Sequence, residues 1–182
     1  MTVLFGGYTA SGYNGETWEW NGSVWTQRAS SGPSPRLGSA MAYDSGRQVT
    51  VLFGGNDGGG SIGGTWEWNG NTWSQRTNLS PAKPSPRNLS AMVYDVGRGL
   101  SVLYGGYGGG ADYSGDTWEY RSIRLGDMNT DGKLDGRDIQ PFVRALLSNP
   151  SDPVAVYIAD FDGSELVDLG DLDGFITALL SP

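Results

Sequence analysis

The chain has 182 residues, a formal net charge of −8, and neither cysteine nor histidine. Its length suits one or two domains, and the missing residue types exclude disulfides, thiolate or imidazole metal sites and Ser-His-Asp triads within these residues. The acidic surplus argues against nucleic acid as a partner, and no apolar run approaches the ~18 residues of a membrane span.

The charge is distributed unevenly along the chain. Residues 1–124 contain nine acidic and nine basic residues, all seven tryptophans and 24 of the 30 glycines. Residues 125–182 contain eleven acidic and three basic residues, and therefore the whole net charge. We predict two domains of different kinds, 1–124 and 125–182.

Short motifs recur along residues 1–120 at intervals of 48 to 52 residues. An apolar run that ends in two glycines occurs at 3–7, 51–55 and 102–106, and Thr-Trp-Glu-aromatic occurs at 17–20, 65–68 and 117–120. Turn residues separate these runs, which is typical of short strands. In 65–68, strand alternation places both tryptophans on one face and Glu67 on the other.

The middle repeat is complete, and we predict its strands at about 38–44, 48–54, 64–69 and 72–77. The first repeat has only the last three strands. The third repeat has only the first three, at about 89–95, 100–105 and 115–120. Residues 1–124 are therefore expected to be mainly β.

A period of ~50 residues with a double glycine and spaced aromatics resembles the kelch repeat family. The resemblance implies four-stranded antiparallel blades around a central channel. Ten strands make two and a half blades, whereas a closed propeller has about four to eight. Our hypothesis is that the chain is the C-terminal part of a longer protein, with Met1 either internal or an artefact, and that it exposes two aromatic-rich blade faces.

Charged residues recur with the repeat. Glu19, Glu67 and Glu119 are candidates for the paired carboxylates of glycosidic chemistry, but their recurrence favours a structural strand position. Arg36 and Arg87 follow Ser-Pro in both interblade segments, and we expect them to tie blades together.

Aromatic residues offer a second candidate surface. The paired tryptophans are expected to pack between blades. Loop tyrosines are better candidates for contact with a glycan: Tyr13, Tyr107 and Tyr113.

Residues 127–138 have the ligand spacing of an EF-hand calcium loop. Oxygen side chains stand at positions 1, 3, 5, 9 and 12, and position 7 supplies a backbone carbonyl. Gly132 is at position 6, where the loop turns sharply, and Leu134 is at position 8. Magnesium would fit less well, because six or more flexible oxygen ligands suit the larger ion. The predicted ligands are Asp127, Asn129, Asp131, Lys133, Asp135 and Asp138.

The loop has a second copy 33 residues later. Position 6 is Glu165 rather than glycine, which predicts a weaker second site. Its predicted ligands are Asp160, Asp162, Ser164, Leu166 (by its carbonyl), Asp168 and Asp171.

Apolar residues after each loop recur at i, i+3, i+4, i+7 and i+8, which predicts a helix with one apolar face. The first helix should begin near 136–138, and a short middle helix is expected at about 154–158. We expect the two apolar faces to pack on each other: Ile139, Phe142, Val143, Leu146, Leu147, and Leu172, Phe175, Ile176, Leu179, Leu180.

Two calcium loops, each followed by a helix and joined by a short helical linker, resemble a dockerin domain over about residues 125–180. Aspartate at position 12 is the specific mark, since ordinary EF-hands have glutamate there. The resemblance implies a small α-helical domain that binds a cohesin on another secreted protein or at the cell surface, or that serves as a calcium-stapled end domain. At positions 10 and 11, where dockerins often have small hydroxyl residues, this chain has Gly136-Arg137 and Leu169-Gly170.

These features favour an exported, non-catalytic bacterial protein that binds or attaches through a calcium-dependent tail. Two alternatives stay open. One is the C-terminal part of a polysaccharide-degrading enzyme whose catalytic residues lie upstream; a copper oxidase site would need histidine, which these residues lack. The other is a surface structural protein that uses calcium as a staple.

Overall fold

The computed structural model describes residues 1–76, 83–108, 113–121, 125–129, 134–148, 150 and 153–180. The chain divides into two compact units, Met1–Tyr120 and Arg121–Pro182, which we call the strand unit and the helical unit. The predicted boundary between 124 and 125 adjoins residues 122–124, which lie outside the described residues. None of the described helices combines the length and apolar character needed to cross a bilayer.

Twelve strands are described in the strand unit, and all of their pairings are antiparallel. They are β1 (Thr2–Phe5), β2 (Tyr8–Thr9), β3 (Gly12–Tyr13), β4 (Thr17–Trp20), β5 (Trp25–Ala29), β6 (Ala40–Asp44), β7 (Val49–Phe53), β8 (Thr65–Trp68), β9 (Trp73–Arg76), β10 (Ala91–Asp95), β11 (Leu100–Tyr104) and β12 (Thr117–Tyr120). Sheet 1 has the order β1-β4-β5, sheet 2 the order β6-β7-β8-β9 and sheet 3 the order β10-β11-β12, while β2 and β3 form a hairpin.

The prediction of a mainly β segment is confirmed, including four strands in the middle repeat and three in each outer repeat. The three sheets also share one register: Val3 pairs with Glu19, Val51 with Glu67, and Val102 with Glu119. The β2–β3 hairpin was not predicted. Thr77, at the predicted end of the fourth strand, lies outside the described residues.

The double glycines are explained by close backbone contact between repeats. Gly6 has a φ of 72°, and a Cβ there would lie 2.4 Å from the carbonyl oxygen of Arg36. Gly54 has a φ of 70°, and its Cβ would lie 2.2 Å from the carbonyl oxygen of Arg87. Only glycine combines this left-handed backbone with so close an approach.

Neighbouring sheets pack through their side chains. Between sheets 1 and 2, the rings of Phe5 and Trp73 meet edge-on with centroids 5.3 Å apart. Between sheets 2 and 3, Phe53 and Leu103 belong to one buried apolar cluster. The faces turned away from sheet 2 leave large apolar side chains exposed on both outer sheets, among them Leu4, Trp25, Val93 and Tyr104.

The helical unit contains α1 (Ile139–Ser148), α2 (Pro153–Ala159), a short 3-10 helix (Leu169–Asp171) and α3 (Leu172–Leu180). The duplicated Phe142 and Phe175 stack with ring centroids 3.9 Å apart and an interplanar angle of 5°. Around them lie Ala145, Ala159 and Val167, all buried. The predicted helices, including the short middle one, are therefore present.

The apolar faces of the two helices pack on each other, as expected, but only over part of each stripe. Phe142 and Phe175 are buried, and Leu146 and Leu179 pack beside them. The other members of both stripes are between 37% and 81% exposed, namely Ile139, Val143 and Leu147 on α1, and Leu172, Ile176 and Leu180 on α3. The small core therefore covers the centre of each apolar stripe and leaves one edge of the stripe exposed to solvent.

Candidate functional site

Three carboxylates of the second loop converge on one point. Asp160, Asp162 and Asp171 each offer a carboxylate oxygen, and these atoms all lie within 4.8 Å of one another. Two oxygen ligands on opposite sides of a calcium ion, each at about 2.4 Å, would stand about 4.8 Å apart. The cluster therefore has the dimensions of a hard-cation site.

Asp171 is held in place by the backbone of its own loop. Its side chain is fully buried. Oδ1 accepts hydrogen bonds from the Phe161 and Asp162 N–H groups at 2.5 and 3.2 Å, and Oδ2 accepts one from Asp168 N–H at 2.9 Å. Position 12 thus fixes the backbone at positions 2, 3 and 9 around the carboxylate cluster.

The start of the loop is ordered in the same way. Asp160 Oδ1 accepts hydrogen bonds from the Gly163 and Ser164 N–H groups at 2.7 and 3.0 Å, and Oδ2 accepts one from Glu165 N–H at 2.9 Å. Hydrogen bonds from the Ser164 side chain and backbone hold the pKa of Asp162 below its usual value. Asp162 is therefore ionised at neutral pH, as a cation ligand must be.

The first loop repeats the contacts of position 12. Asp138 accepts hydrogen bonds from Asn129 N–H at 3.1 Å and from Asp135 N–H at 2.9 Å, the positions that contact Asp171 in the second loop. Asp127 and Asp138 are 1% and 0% exposed. The predicted ligands Asp131 and Lys133, with Gly132, lie outside the described residues.

Positions 9 and 8 serve the same purposes in both loops. Asp168 Oδ1 accepts from Gly170 N–H at 2.7 Å, and Asp135 Oδ1 accepts from Arg137 N–H at 2.8 Å, so both cap the following turn. At position 8, Val167 is buried in the apolar core and Leu134 packs against it. The loops are thereby fastened to the core that the two helices share.

The remaining predicted ligands of the second loop lie at its surface. Ser164 donates its N–H to both Asp160 and Asp162, at 3.0 Å each. Leu166 exposes 54% of its surface, which suits a residue whose predicted contribution is a carbonyl oxygen.

Glu165 adopts the left-handed backbone that position 6 requires, with a φ of 65°. That conformation costs an L-residue about 1–2 kcal/mol, part of which the flexibility of glycine in the unfolded chain would offset. We expect Glu165→Gly to stabilise the folded loop by about 0.5–1 kcal/mol and to tighten calcium binding at this loop by about threefold. Isothermal titration calorimetry with calcium measures the change.

Two control variants separate backbone strain from charge. Gly163 has a φ of 76°, and an added Cβ would meet nothing within 4 Å. Gly163→Ala should therefore weaken binding through the backbone alone. Glu165→Gln keeps the strain and removes the charge, so it should not reproduce the gain. Equal gains from Glu165→Gly and Glu165→Gln would assign the effect to charge instead.

The recurring glutamates of the strand unit are structural centres of ion pairing. Glu67 is 2% exposed and contacts Arg47 at 2.5 Å and Arg76 at 2.6 Å. It also accepts a hydrogen bond of 2.8 Å from the Tyr120 hydroxyl of sheet 3. Glu19 accepts the equivalent bond from Trp68 Nε1 of sheet 2, at 2.9 Å.

The arginines after Ser-Pro join neighbouring repeats. Arg36 is 5% exposed; its backbone carbonyl accepts from Gly7 N–H at 2.8 Å, while its side chain donates to the Gly54 carbonyl at 3.1 Å. Arg87 makes the same contacts with Gly55 and Gly105. Both arginines therefore join two repeats, as the sequence predicted.

The three tyrosines proposed to contact a glycan lie in a two-residue strand or in isolated β-bridges. Tyr107 and Tyr113 pair with ring centroids 5.4 Å apart, and Tyr113 is 81% exposed. Tyr13 lies in β3, packs edge-on against Tyr8 and donates its hydroxyl to Asn56 at 3.4 Å. Contact with a glycan stays a prediction for all three.

No protein-family model matches the chain, and a search of curated proteins found no relative.

Proposed function

We propose that the chain is an exported, non-catalytic binding or attachment protein whose helical unit binds two calcium ions and docks a partner protein. The observation that carries the proposal is the duplicated loop–helix arrangement, in which two equivalent apolar rims stand exposed beside two equivalent acidic loops. On α1 the rim is Ile139, Val143 and Leu147; on α3 it is Leu172, Ile176 and Leu180.

The described side chains fit calcium ligation. Asp160, Asp162 and Asp171 would hold one ion, with Ser164, the Leu166 carbonyl and Asp168 completing the set. Asp127, Asn129, Asp135 and Asp138 would hold the other; its remaining proposed ligands, Asp131 and the Lys133 carbonyl, lie outside the described residues. Calcium would supply positive charge that allows buried carboxylates such as Asp138 and Asp171 to lie close to their neighbours.

The exposed rims support a protein partner. Leu147 and Leu180 occupy the same position after their loops and are 81% and 77% exposed. Exposed apolar side chains aligned on a helix are typical of helix-mediated docking. The two rims occupy equivalent positions and are both aliphatic, and the resemblance to dockerins makes a cohesin-type protein the proposed partner.

The resemblance to a partial kelch propeller is part of the same proposal. Its support is the identical register of sheets 1, 2 and 3 and the use of one glutamate position as a contact to the next sheet. In this proposal the strand unit is a scaffold, and a glycan at its loops is a further partner.

A pull-down with immobilised cohesin-type domains tests the docking role. We expect capture in calcium and release in EDTA, with about tenfold weaker binding for the double variant Leu147→Glu, Leu180→Glu, since charge at the centre of an apolar contact is unfavourable. The calcium affinity of this variant should be unchanged. Calcium binding without capture of any cohesin would favour the alternative in which calcium only staples a surface structural protein.

A further inference from the structure

In the first and third repeats, the residue directly before the Thr-Trp-Glu motif is a carboxylate that accepts hydrogen bonds from several surrounding side chains. In sheet 3 this position is Asp116. Its carboxylate accepts bonds from Arg87 Nη1 and Nη2 at 2.5 and 3.0 Å and from Trp118 Nε1 at 2.5 Å. The Arg87 guanidinium, with Trp118, lowers the pKa of Asp116 to about 2.

The first repeat also has a carboxylate at this position. Glu16 accepts hydrogen bonds from Asn14 Nδ2 and Trp18 Nε1, both at 3.0 Å. These bonds and one from Gln27 lower the pKa of Glu16, with Asn14 the largest cause. Tryptophan at the second motif position and glutamine on the adjacent strand are therefore both donors to this carboxylate.

The middle repeat keeps the donors but has Gly64 in place of the carboxylate. The Gly64 backbone carbonyl still accepts from Gly54 N–H at 3.2 Å, as that of Asp116 does from Gly105 N–H at 3.1 Å. An ideal Cβ at Gly64 would lie 3.6 Å from Gln75 Nε2 and 3.7 Å from Trp66 Nε1. Neither side chain has a hydrogen-bond acceptor among the described residues.

Arg36 makes the same hydrogen bonds to the preceding serine and to the following glycine carbonyl as Arg87, but it has no carboxylate partner among the described residues. It donates to the Ser34 carbonyl at 2.9 Å, to Ser34 Oγ at 2.7 Å and to the Gly54 carbonyl at 3.1 Å. Arg87 makes the same three bonds to Ser85 and Gly105. Of the five N–H donors of a guanidinium, two on Arg36 thus have no acceptor in the described part of the chain.

The charge of Arg36 is only weakly compensated. Its side chain is 95% buried, and burial lowers its pKa, while the negative charge of Asp57 partly offsets this effect. Asp57 forms no ion pair with it among the described residues. The attraction between a buried guanidinium and an anion is screened less by water and salt than at the surface, and hydrogen bonds between charged groups are roughly twice as strong as those between neutral groups.

We propose that the middle repeat binds the carboxylate group of a small organic acid between Arg36, Trp66 and Gln75, where the Asp116 carboxylate lies in sheet 3. The two available N–H groups of Arg36 can form a paired contact with both carboxylate oxygens. Trp66 is partly buried and Gln75 is exposed, so the ligand reaches the site from solvent.

Calorimetric titration of the full chain at low salt tests the site, with acetate, D-glucuronate and D-glucose as probes. Acetate and D-glucuronate should bind saturably and D-glucose should not. Tighter binding of D-glucuronate would identify an acidic sugar as the ligand class, and equal binding would identify a simple carboxylate. Absence of saturable binding for both acids would overturn the proposal.

Three variants locate the binding. Trp66→Phe removes one N–H donor to a charged acceptor and should weaken binding about tenfold, and Gln75→Leu should act in the same direction. Asp57→Asn removes a nearby negative charge and should strengthen binding. Unchanged affinity in Trp66→Phe and Gln75→Leu would overturn the assignment.

A matched pair of variants tests the same site without any ligand. Gly64 has a φ of 98°, so Gly64→Asp and Gly64→Asn carry the same backbone strain. Only the aspartate supplies a carboxylate to Arg36 and Trp66. Gly64→Asp should therefore melt several degrees above Gly64→Asn and should no longer bind acetate; equal melting temperatures would contradict the proposal.

Discussion

Chelation of calcium with EDTA should melt residues 125–182 and leave the tryptophan-rich strand unit largely intact. The physical reason is the set of buried carboxylates: Asp127, Asp138 and Asp171 are at most 1% exposed. In the described residues, Asp138 and Asp171 have only backbone N–H groups as partners. A cation bound beside these buried oxygen ligands supplies folding free energy, and chelation removes that contribution.

The expected effect is large for so small a unit. A ligand at a thousandfold excess over its dissociation constant stabilises the folded state by about 4 kcal/mol per site. For a domain of this size, that corresponds to a melting temperature about 20 °C higher. Scanning calorimetry of the full chain should show one transition that moves with calcium and another that does not.

Matched variants at position 12 assign the effect to the loops. Asp138→Asn and Asp171→Asn keep the side-chain size and remove one negative charge each, so each should abolish most calcium stabilisation from its own loop. Asp173→Asn also removes one negative charge, but Asp173 lies outside both loops, so this variant should retain the stabilisation by calcium. A thermal profile that is the same in calcium and in EDTA would contradict calcium binding.

Much of the strand unit could be predicted because the repeat fixes both the strand order and the register. Val51 opposite Glu67 implies Val3 opposite Glu19 as soon as the motifs are aligned, and the structure has both pairs. The β2–β3 hairpin escaped prediction because it is two residues per strand and lies in a stretch where the repeats differ.

The helical unit shows what periodicity cannot decide. A stripe at i, i+3, i+4, i+7 and i+8 identifies an apolar face, but it does not say how much of that face a small core can cover. Phe142 and Phe175 stack directly on each other, and their bulk fills the space between the helices. Val143 and Ile176, one residue further round, are each 44% exposed as a result.

The acidic residues were predicted as ligands, but their hydrogen bonds were not. Spacing places Asp171 at position 12, whereas its contacts with Phe161 and Asp168 N–H depend on the folded loop. The same holds for Gly64, whose significance emerges only when the donors around Asp116 are seen in the neighbouring sheet. Repeats make such comparisons possible, because the same scaffold is built several times with different side chains.

Glu67→Ala should lower the free energy of unfolding of the strand unit by about 3–5 kcal/mol, the range for breaking a buried ion pair by removing one partner. Arg47, whose side chain is only 19% exposed, would lose its ion pair with Glu67. Tyr120 would lose the hydrogen-bond acceptor of its hydroxyl in sheet 2. Chemical denaturation followed by tryptophan fluorescence measures the change.

The loss should also depend on pH. Burial raises the pKa of Glu67, but the charges and hydrogen bonds of Arg47, Tyr120 and Arg76 outweigh it, and the net pKa is lowered. A carboxyl group whose pKa is lower in the folded state stabilises the fold at pH values above its unfolded-state pKa of about 4.3. This stabilisation is lost as the pH falls through the folded-state pKa. Glu67→Gln should therefore flatten the acid limb of the stability profile.

Glu119 is the matched control, because it occupies the same register position in sheet 3 and also pairs with an arginine, Arg98. Both side chains are about half exposed, at 52% and 51%, so water and salt screen the pair. Glu119→Ala should therefore lower the free energy of unfolding much less than Glu67→Ala does. The contrast arises because sheet 2 has sheet 3 as a neighbour on its glutamate face, whereas no further described sheet of the strand unit packs on the glutamate face of sheet 3. Equal losses for Glu67→Ala and Glu119→Ala would mean that the contact with Tyr120 and the burial of Glu67 do not stabilise the junction between sheets.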